Sequence, residues 1–346
     1  MSRSGSGRVT RAGGFAVFVV GLLAMVAALL AATPVWASSA SNVSVRFGNP
    51  DQAPALVGAQ TGYTVQLTST SALLGGTQAG DHIALSVPAG TKFPTGSAVN
   101  SPYRLSTPRV GYNVNAAAIV SDVGATARIP LTGNASIEIR AGDAVRLTVG
   151  IFENNVTNPT AAGSYRLGVA TSRDTTPANS SPYTIGPNDP ARVSAVAGAS
   201  LARVGTGFLP LEAKVTDAHG NAIPSQGVTF AAPESGPSGT FASTGSATDA
   251  ATTGVDGVAT ASAFTANTIA GAYQVRASSA DLEPADLPAT TTPGPAENLA
   301  VDLEPRFVVA DGRSTTTATA TVTDEHGNGV PLEDVSFSSG GGQQIG

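Results

Sequence analysis

The sequence predicts an all-β protein, with β-sandwich modules in tandem behind an N-terminal export signal. Three observations point there. The chain is rich in Ala, Thr, Ser and Val and is punctuated by 40 glycines and 23 prolines, which suits many short strands joined by tight turns. Its apolar and polar residues alternate strongly, which a disordered chain of the same Gly and Pro content would lack. A segment near the middle recurs about one hundred residues later.

The N-terminus carries the export signal. Arg3, Arg8 and Arg11 precede an uninterrupted apolar run over 15–32, followed by Pro34 and then Val35-Trp36-Ala37 before Ser38. A basic segment, an apolar core and small residues at −3 and −1 describe a secretory signal peptide over 1–37, cleaved after Ala37. The run is also just long enough to span a membrane, so an uncleaved anchor is the alternative. Cleavage removes three arginines and no acid, taking the net charge from −6 to −9. An acidic exterior argues against nucleic acid as a partner, because phosphate binding needs a basic stripe. With no cysteine, disulfides, thiolate metal sites and cysteine nucleophiles are excluded, and hydrophobic cores alone must hold the modules together.

The repeat sets the domain organisation. Residues 215–230 read VTDAHGNAIPSQGVTF and 322–337 read VTDEHGNGVPLEDVSF, nine identities in sixteen positions at an offset of 107. That spacing matches one immunoglobulin-type sandwich and exceeds any solenoid period. Gly186-Pro187-Asn188-Asp189-Pro190 and Thr292-Pro293-Gly294-Pro295 precede the two copies as short stiff linkers. In the first copy Leu209, Leu211, Ala213 and Val215 alternate with polar neighbours; in the second, Ala318, Ala320 and Val322 do so. Period two with one apolar face predicts strands covering a core on one side. Asp217 to Asn221 and Asp324 to Asn328 then supply turns, with Gly220 and Gly327 free to take positive φ. Val228 and Phe230, matched by Val335 and Phe337, resume the apolar face.

The pattern V-T-D-x-H-G-N-x-hydrophobic-P, then V-[ST]-F, Gly254-Val255-Asp256-Gly257-Val258-Ala259 and Gly271-Ala272-Tyr273-Gln274-Val275 resembles the bacterial immunoglobulin-like domain family 1, the module of invasin- and intimin-type adhesins. The resemblance covers 190–294 fully and 295–346 in part. It implies a seven-stranded sandwich used as a stalk or adhesive unit, with no catalytic residues.

Residues 38–187 read as a more divergent sandwich, with strands expected at 43–47, 62–68, 82–87, 112–120, 127–131, 136–140, 144–151, 164–171 and 182–185. Ala162-Gly163-Ser164-Tyr165 echoes Ala270-Gly271-Ala272-Tyr273. A tyrosine near the start of the penultimate strand, bonding back to the preceding corner, is a device of immunoglobulin sandwiches. The stretch 155–185 is also weakly similar to domains of bacterial envelope-associated proteins. The organisation is therefore a signal over 1–37, sandwiches over 38–187 and 188–294, and a second, incomplete copy of the repeat module over 295–346. That last piece is expected not to fold alone, because two or three early strands cannot cover one another.

Few residues offer chemistry. His219 and His326 occupy equivalent turn positions and His82 opens a strand, so all three read as packing residues. Asp189, Asp217, Asp302 and Asp324 are the candidates for calcium at module junctions, but no Asp-x-Asp-x-Asp run supplies six to eight oxygens. Asp256-Gly257 and Asp311-Gly312 read as hairpin turns. No phosphate-binding loop, nucleophile elbow, HExxH or dinucleotide fingerprint is present, and the glycines at 340–342 follow a strand with no helix to make them a phosphate cradle. Asn42, Asn134, Asn155 and Asn179 fit the glycosylation tripeptide, a cheap match in a Ser/Thr-rich chain. Tyr103 and Tyr112 are too sparse for an aromatic sugar-binding face. We therefore expect no catalytic, cofactor-binding or metal residues and no cofactor. The expected function is that of an exported, non-catalytic cell-surface or extracellular protein, a structural stalk or adhesin, meeting a host-cell, cell-envelope or polysaccharide surface. The alternative is an accessory region of a larger secreted enzyme whose catalytic domain lies beyond residue 346.

Overall fold

A computed structural model describes residues 40–48, 55–76, 80–95, 101–116, 118–121, 124–131, 137–150, 155–197 and 201–341. The export signal and its cleavage site lie outside them. Among the described residues the architecture is all-β, and no helix is long and apolar enough to cross a membrane.

Up to Ile185 the chain forms two facing five-stranded sheets. One runs in the order Ala40–Phe47, Tyr63–Ser69, Ala144–Val149, Tyr103–Thr107, Val110–Ala116; the other runs Ala178–Asn179, Gly168–Thr171, His82–Ser86, Thr126–Pro130, Ile119–Ser121. Alternation decides what goes inside. Val65 and Leu67, with Val145, Leu147 and Val149, point from the first sheet onto Ile83, Leu85, Ala127, Ile129 and Val169 of the second. Each such buried Val, Leu or Ile side chain stabilises the fold by about 1.5–3 kcal/mol.

The next stretch builds a smaller sandwich around its own core. Arg192–Ala197, Glu212–Thr216 and Val258–Thr260 make one sheet; Ala202–Arg203, Ala285–Thr292, Gly271–Ser278, Gly227–Ala231 and Thr248–Thr252 make the other. Ala202–Arg203 runs parallel to the end of Ala285–Thr292 while every other pair is antiparallel. A first strand that switches sheets in this way, with Greek-key connections, is an immunoglobulin-like arrangement. Ala213, Val215, Val228, Phe230, Val275, Ala277 and Leu287 fill the core. After the second linker, Asn298–Glu304 pairs with Thr317–Thr323 as a two-stranded ribbon, and Leu299, Val301 and Leu303 on it are exposed.

Several expectations need correction. The strand read at 112–120 divides into Val110–Ala116 and Ile119–Ser121, which belong to different sheets, and that at 164–171 divides into Gly163–Tyr165 and Gly168–Thr171 in the same way. In the second case alternation continues through the crossing, because Leu167, Val169 and Thr171 keep one face toward the core while the chain changes neighbours. Leu209 is 71% exposed: it stands before Pro210, outside the strand, and the buried face begins at Leu211. Asp256-Gly257 is a tight turn but not a hairpin, since Thr248–Thr252 and Val258–Thr260 lie in opposite sheets. Asp311-Gly312 does lie within a hairpin connection, where the Asp311 carboxylate accepts from the amides of Arg313 and Ser314. Val335 and Phe337 are not in a strand.

Candidate functional site

The residues with chemical potential are consumed locally in the first sandwich. His82 Nδ1 lies 3.2 Å from the Arg128 guanidinium, and burial together with that cation holds the imidazole below its usual pKa. Asp81 accepts from the Leu74 amide, Ser172 Oγ and Arg173. Tyr103 is fully buried and donates to the Pro94 carbonyl; the side chain of Tyr112 and the Asn134 tripeptide lie outside the described residues. Among the described residues no three His, Cys, Asp or Glu side chains stand together as a metal-binding group.

The organised polar chemistry sits where the modules meet. At the first junction Asp217 follows the strand Glu212–Thr216 and is 2% exposed. Its Oδ1 accepts from the amides of His219 (2.8 Å) and Asn221 (2.9 Å), and its Oδ2 from the linker amide of Asn188 (3.0 Å). Asn221 Nδ2 donates to both oxygens, at 3.1 and 2.9 Å. Gly220, at φ +85°, supplies the left-handed residue that closes the turn. The Asn221 side chain then reaches the preceding sandwich: Nδ2 donates to the Thr160 carbonyl (2.9 Å), and Oδ1 accepts from the Ala162 amide (2.8 Å).

The second junction repeats this bond for bond. Asp324, 0% exposed, accepts from the amides of His326 (3.0 Å), Asn328 (2.8 Å) and the linker residue Gly294 (2.8 Å). Asn328 Nδ2 donates to both its oxygens, at 3.1 and 2.8 Å. Asn328 Nδ2 also donates to the Thr268 carbonyl (2.9 Å), and its Oδ1 accepts from the Ala270 amide (2.8 Å).

The receiving loops are braced from below. Asn158, 1% exposed, accepts from Tyr63 and donates to the Leu56 carbonyl and Thr61. Asn267 accepts from the Ile269 and Ser238 amides and donates to the Gly236 carbonyl. Tyr165 bonds back to the Ala161 carbonyl at 2.6 Å, as its motif predicts. Tyr273 makes no such bond; its buried hydroxyl instead faces Thr291, short of hydrogen-bond geometry. Each tyrosine belongs to an aromatic cluster, Tyr165 with Tyr183, Tyr63 and Phe47, and Tyr273 with Phe208, Phe264 and Phe241. At the first junction His219 Nε2 lies 3.2 Å from where a Cβ on Gly58 would sit, whereas the space beside Gly205 is open.

Burial alone would raise the carboxyl pKa of Asp217, but the bonds from Asn221, Asn188 and His219 outweigh it and hold the group below the usual carboxylate range. In Asp324 the same competition ends at about 2. Both oxygens of each carboxylate thus face N–H donors. Of the other calcium candidates, Asp189 is exposed and Asp302 pairs with Arg306. The sequence identified both partner motifs of each junction, the Asp-x-His-Gly-Asn turn and the Ala-Gly-x-Tyr strand, but assigned them to turn and corner only.

Fold and junctions together define a tandem array of immunoglobulin-like β-sandwiches. No family model matches the chain, and a search of curated proteins found no match. Solved structures similar to it include InvD of Yersinia pseudotuberculosis, at 14% identity and a TM-score of 0.43 over 84% of this chain and 72% of that one. The Escherichia coli adhesin FdeC is similar at 17% identity and a TM-score of 0.37, over 83% and 75%. Invasin, a bacterial integrin-binding protein, is similar at 12% identity and a TM-score of 0.34, over 85% of this chain and 49% of that one.

Proposed function

We propose that the chain is an exported, non-catalytic surface protein in which a signal over 1–37, a sandwich over 38–187, a second over 188–294 and a further module from 295 form a stalk or adhesin-like array. The observation that carries this reading is the tandem of separately cored sandwiches joined by two equivalent hydrogen-bonded junctions. Among the described residues the titratable groups support it, because they are spent on turns, ion pairs and junction bonds rather than gathered as a metal-binding group. The acidic surface favours a cell-envelope, host-cell or polysaccharide partner over nucleic acid, with membrane contact only through an uncleaved signal.

Expression in a bacterial host tests this. The mature protein should begin at Ser38 and be removed from intact cells by added protease, or be recovered from the medium. A cytoplasmic product that retains residues 15–32 would defeat the proposal.

A further inference from the structure

We infer that the Asp-x-His-Gly-Asn turn is a docking plug, and that its asparagine side chain seats each module on the Thr-x-Ala-Gly or Thr-Ile-Ala-Gly loop of the module before it. Three observations converge. First, the asparagine amide makes the same paired contact at both junctions, donating to one backbone carbonyl and accepting from the amide two residues on. Two antiparallel bonds to a peptide segment fix orientation as well as distance. Second, the buried aspartate joins plug and linker, because one of its oxygens takes the linker amide, Asn188 or Gly294, while both hold the asparagine. A single carboxylate therefore sets the asparagine and the linker together. Third, the receiving loop is preorganised by a buried or bonded asparagine beneath it, Asn158 or Asn267.

The socket is read through backbone groups alone, so its side chains are free to vary while its shape is not. A sandwich with a plug on one side and a socket on the other makes a heterologous contact that can propagate head to tail. The second sandwich shows both: its plug is Asp217–Asn221 and its socket is the loop from Thr268 to Gly271. The chemical class of partner for a socket is thus another module bearing an Asp-x-x-Gly-Asn turn, supplied here from the same chain. The inference goes beyond the surface role and does not depend on it.

Hydrogen exchange on the full chain, read by NMR at single amides, tests the idea, because the Ala162 and Ala270 amides belong to one module but bond to the next. In Asn221→Ala the Ala162 amide should exchange roughly tenfold faster or more, the scale expected when one net hydrogen bond is lost. Ala270, Val65 and Leu147 should stay as protected as in the parent chain. Asn328→Ala should do the reverse, exposing Ala270 and sparing Ala162. Small-angle scattering should show a broader distance distribution for either variant. If the asparagine only closes its own turn, Val215 and Phe230 will lose protection in Asn221→Ala while Ala162 and the scattering do not change, and the inference fails. Should Asn221→Ala not fold, Asn328→Ala decides alone, since residue 328 lies outside both sandwich cores; unchanged exchange at Ala270 overturns the inference.

Discussion

Replacing Asp217 by asparagine keeps the shape of the side chain and removes its charge and one acceptor. If the new amide nitrogen takes the place of Oδ2, the Asn188 amide and Asn221 Nδ2 each lose an acceptor; in place of Oδ1 it strands the amides of His219 and Asn221 and one Nδ2 bond. In the first orientation the Asn188 amide is orphaned while Asn221 Nδ2 keeps Oδ1 and the Thr160 carbonyl; in the second, two backbone amides are orphaned. A stranded buried donor costs about 1–3 kcal/mol, and bonds to a charged acceptor are the stronger kind. Allowing for relaxation and water entry, we expect Asp217→Asn to destabilise the second sandwich by about 2–4 kcal/mol. At roughly 4–8 °C per kcal/mol for a domain of this size, the transition should fall by about 8–32 °C. The assay is native-state exchange at Val215 and Phe230, which report opening of that core, alongside a thermal melt. Asp189→Asn, on an exposed carboxylate, is the control and should stay within about 0.5 kcal/mol. A loss below about 1 kcal/mol would refute the reasoning, because it would place Asp217 among ordinary surface residues.

Three further outcomes follow from the same geometry. Asp217 and Asp324 have folded-state pKa values below the unfolded carboxylate value, so their contribution is fully present above about pH 4. It should fade as pH falls toward the folded values, about 2 for Asp324; melting of the second sandwich should be flat from about pH 7 to 5 and drop below 4, less steeply in Asp217→Asn. Gly58→Ala should cost more than Gly142→Ala: both need positive φ, at +65° and +91°, but only Gly58 faces His219. Adding His219→Ala should bring the two glycine variants level in a denaturant titration, and an unchanged gap would remove the histidine contact from the account. Chelator should leave the melting temperature within a degree or two, because the junction carboxylates already face N–H donors; a drop of many degrees would revive calcium.

Much of this was legible from residue order. Strand alternation named Ala213, Val215, Val228 and Phe230 as core, and all four are buried. The repeat located both junctions, and the Ala-Gly-x-Tyr motif foretold the Tyr165 bond to Ala161. Those features are local, or recur at a fixed period, and so leave a mark on the sequence. The same motif failed at Tyr273, where the hydroxyl faces Thr291 in the neighbouring strand and makes no corner bond.

Residue order by itself determined that the chain is β-structured, that its apolar faces alternate, and that a turn built on Asp and Asn recurs at a spacing of one module. The tertiary structure decided which sheet each strand joins and what those turns touch. Alternation records only which face of a strand meets the core, so the split strands at 110–121 and 163–171 read as continuous runs. The partners of Asn221 and Asn328 are backbone carbonyls and amides, which every residue carries. Only the folded chain, by bringing Thr160 and Ala162 to Asn221 and Thr268 and Ala270 to Asn328, could single them out.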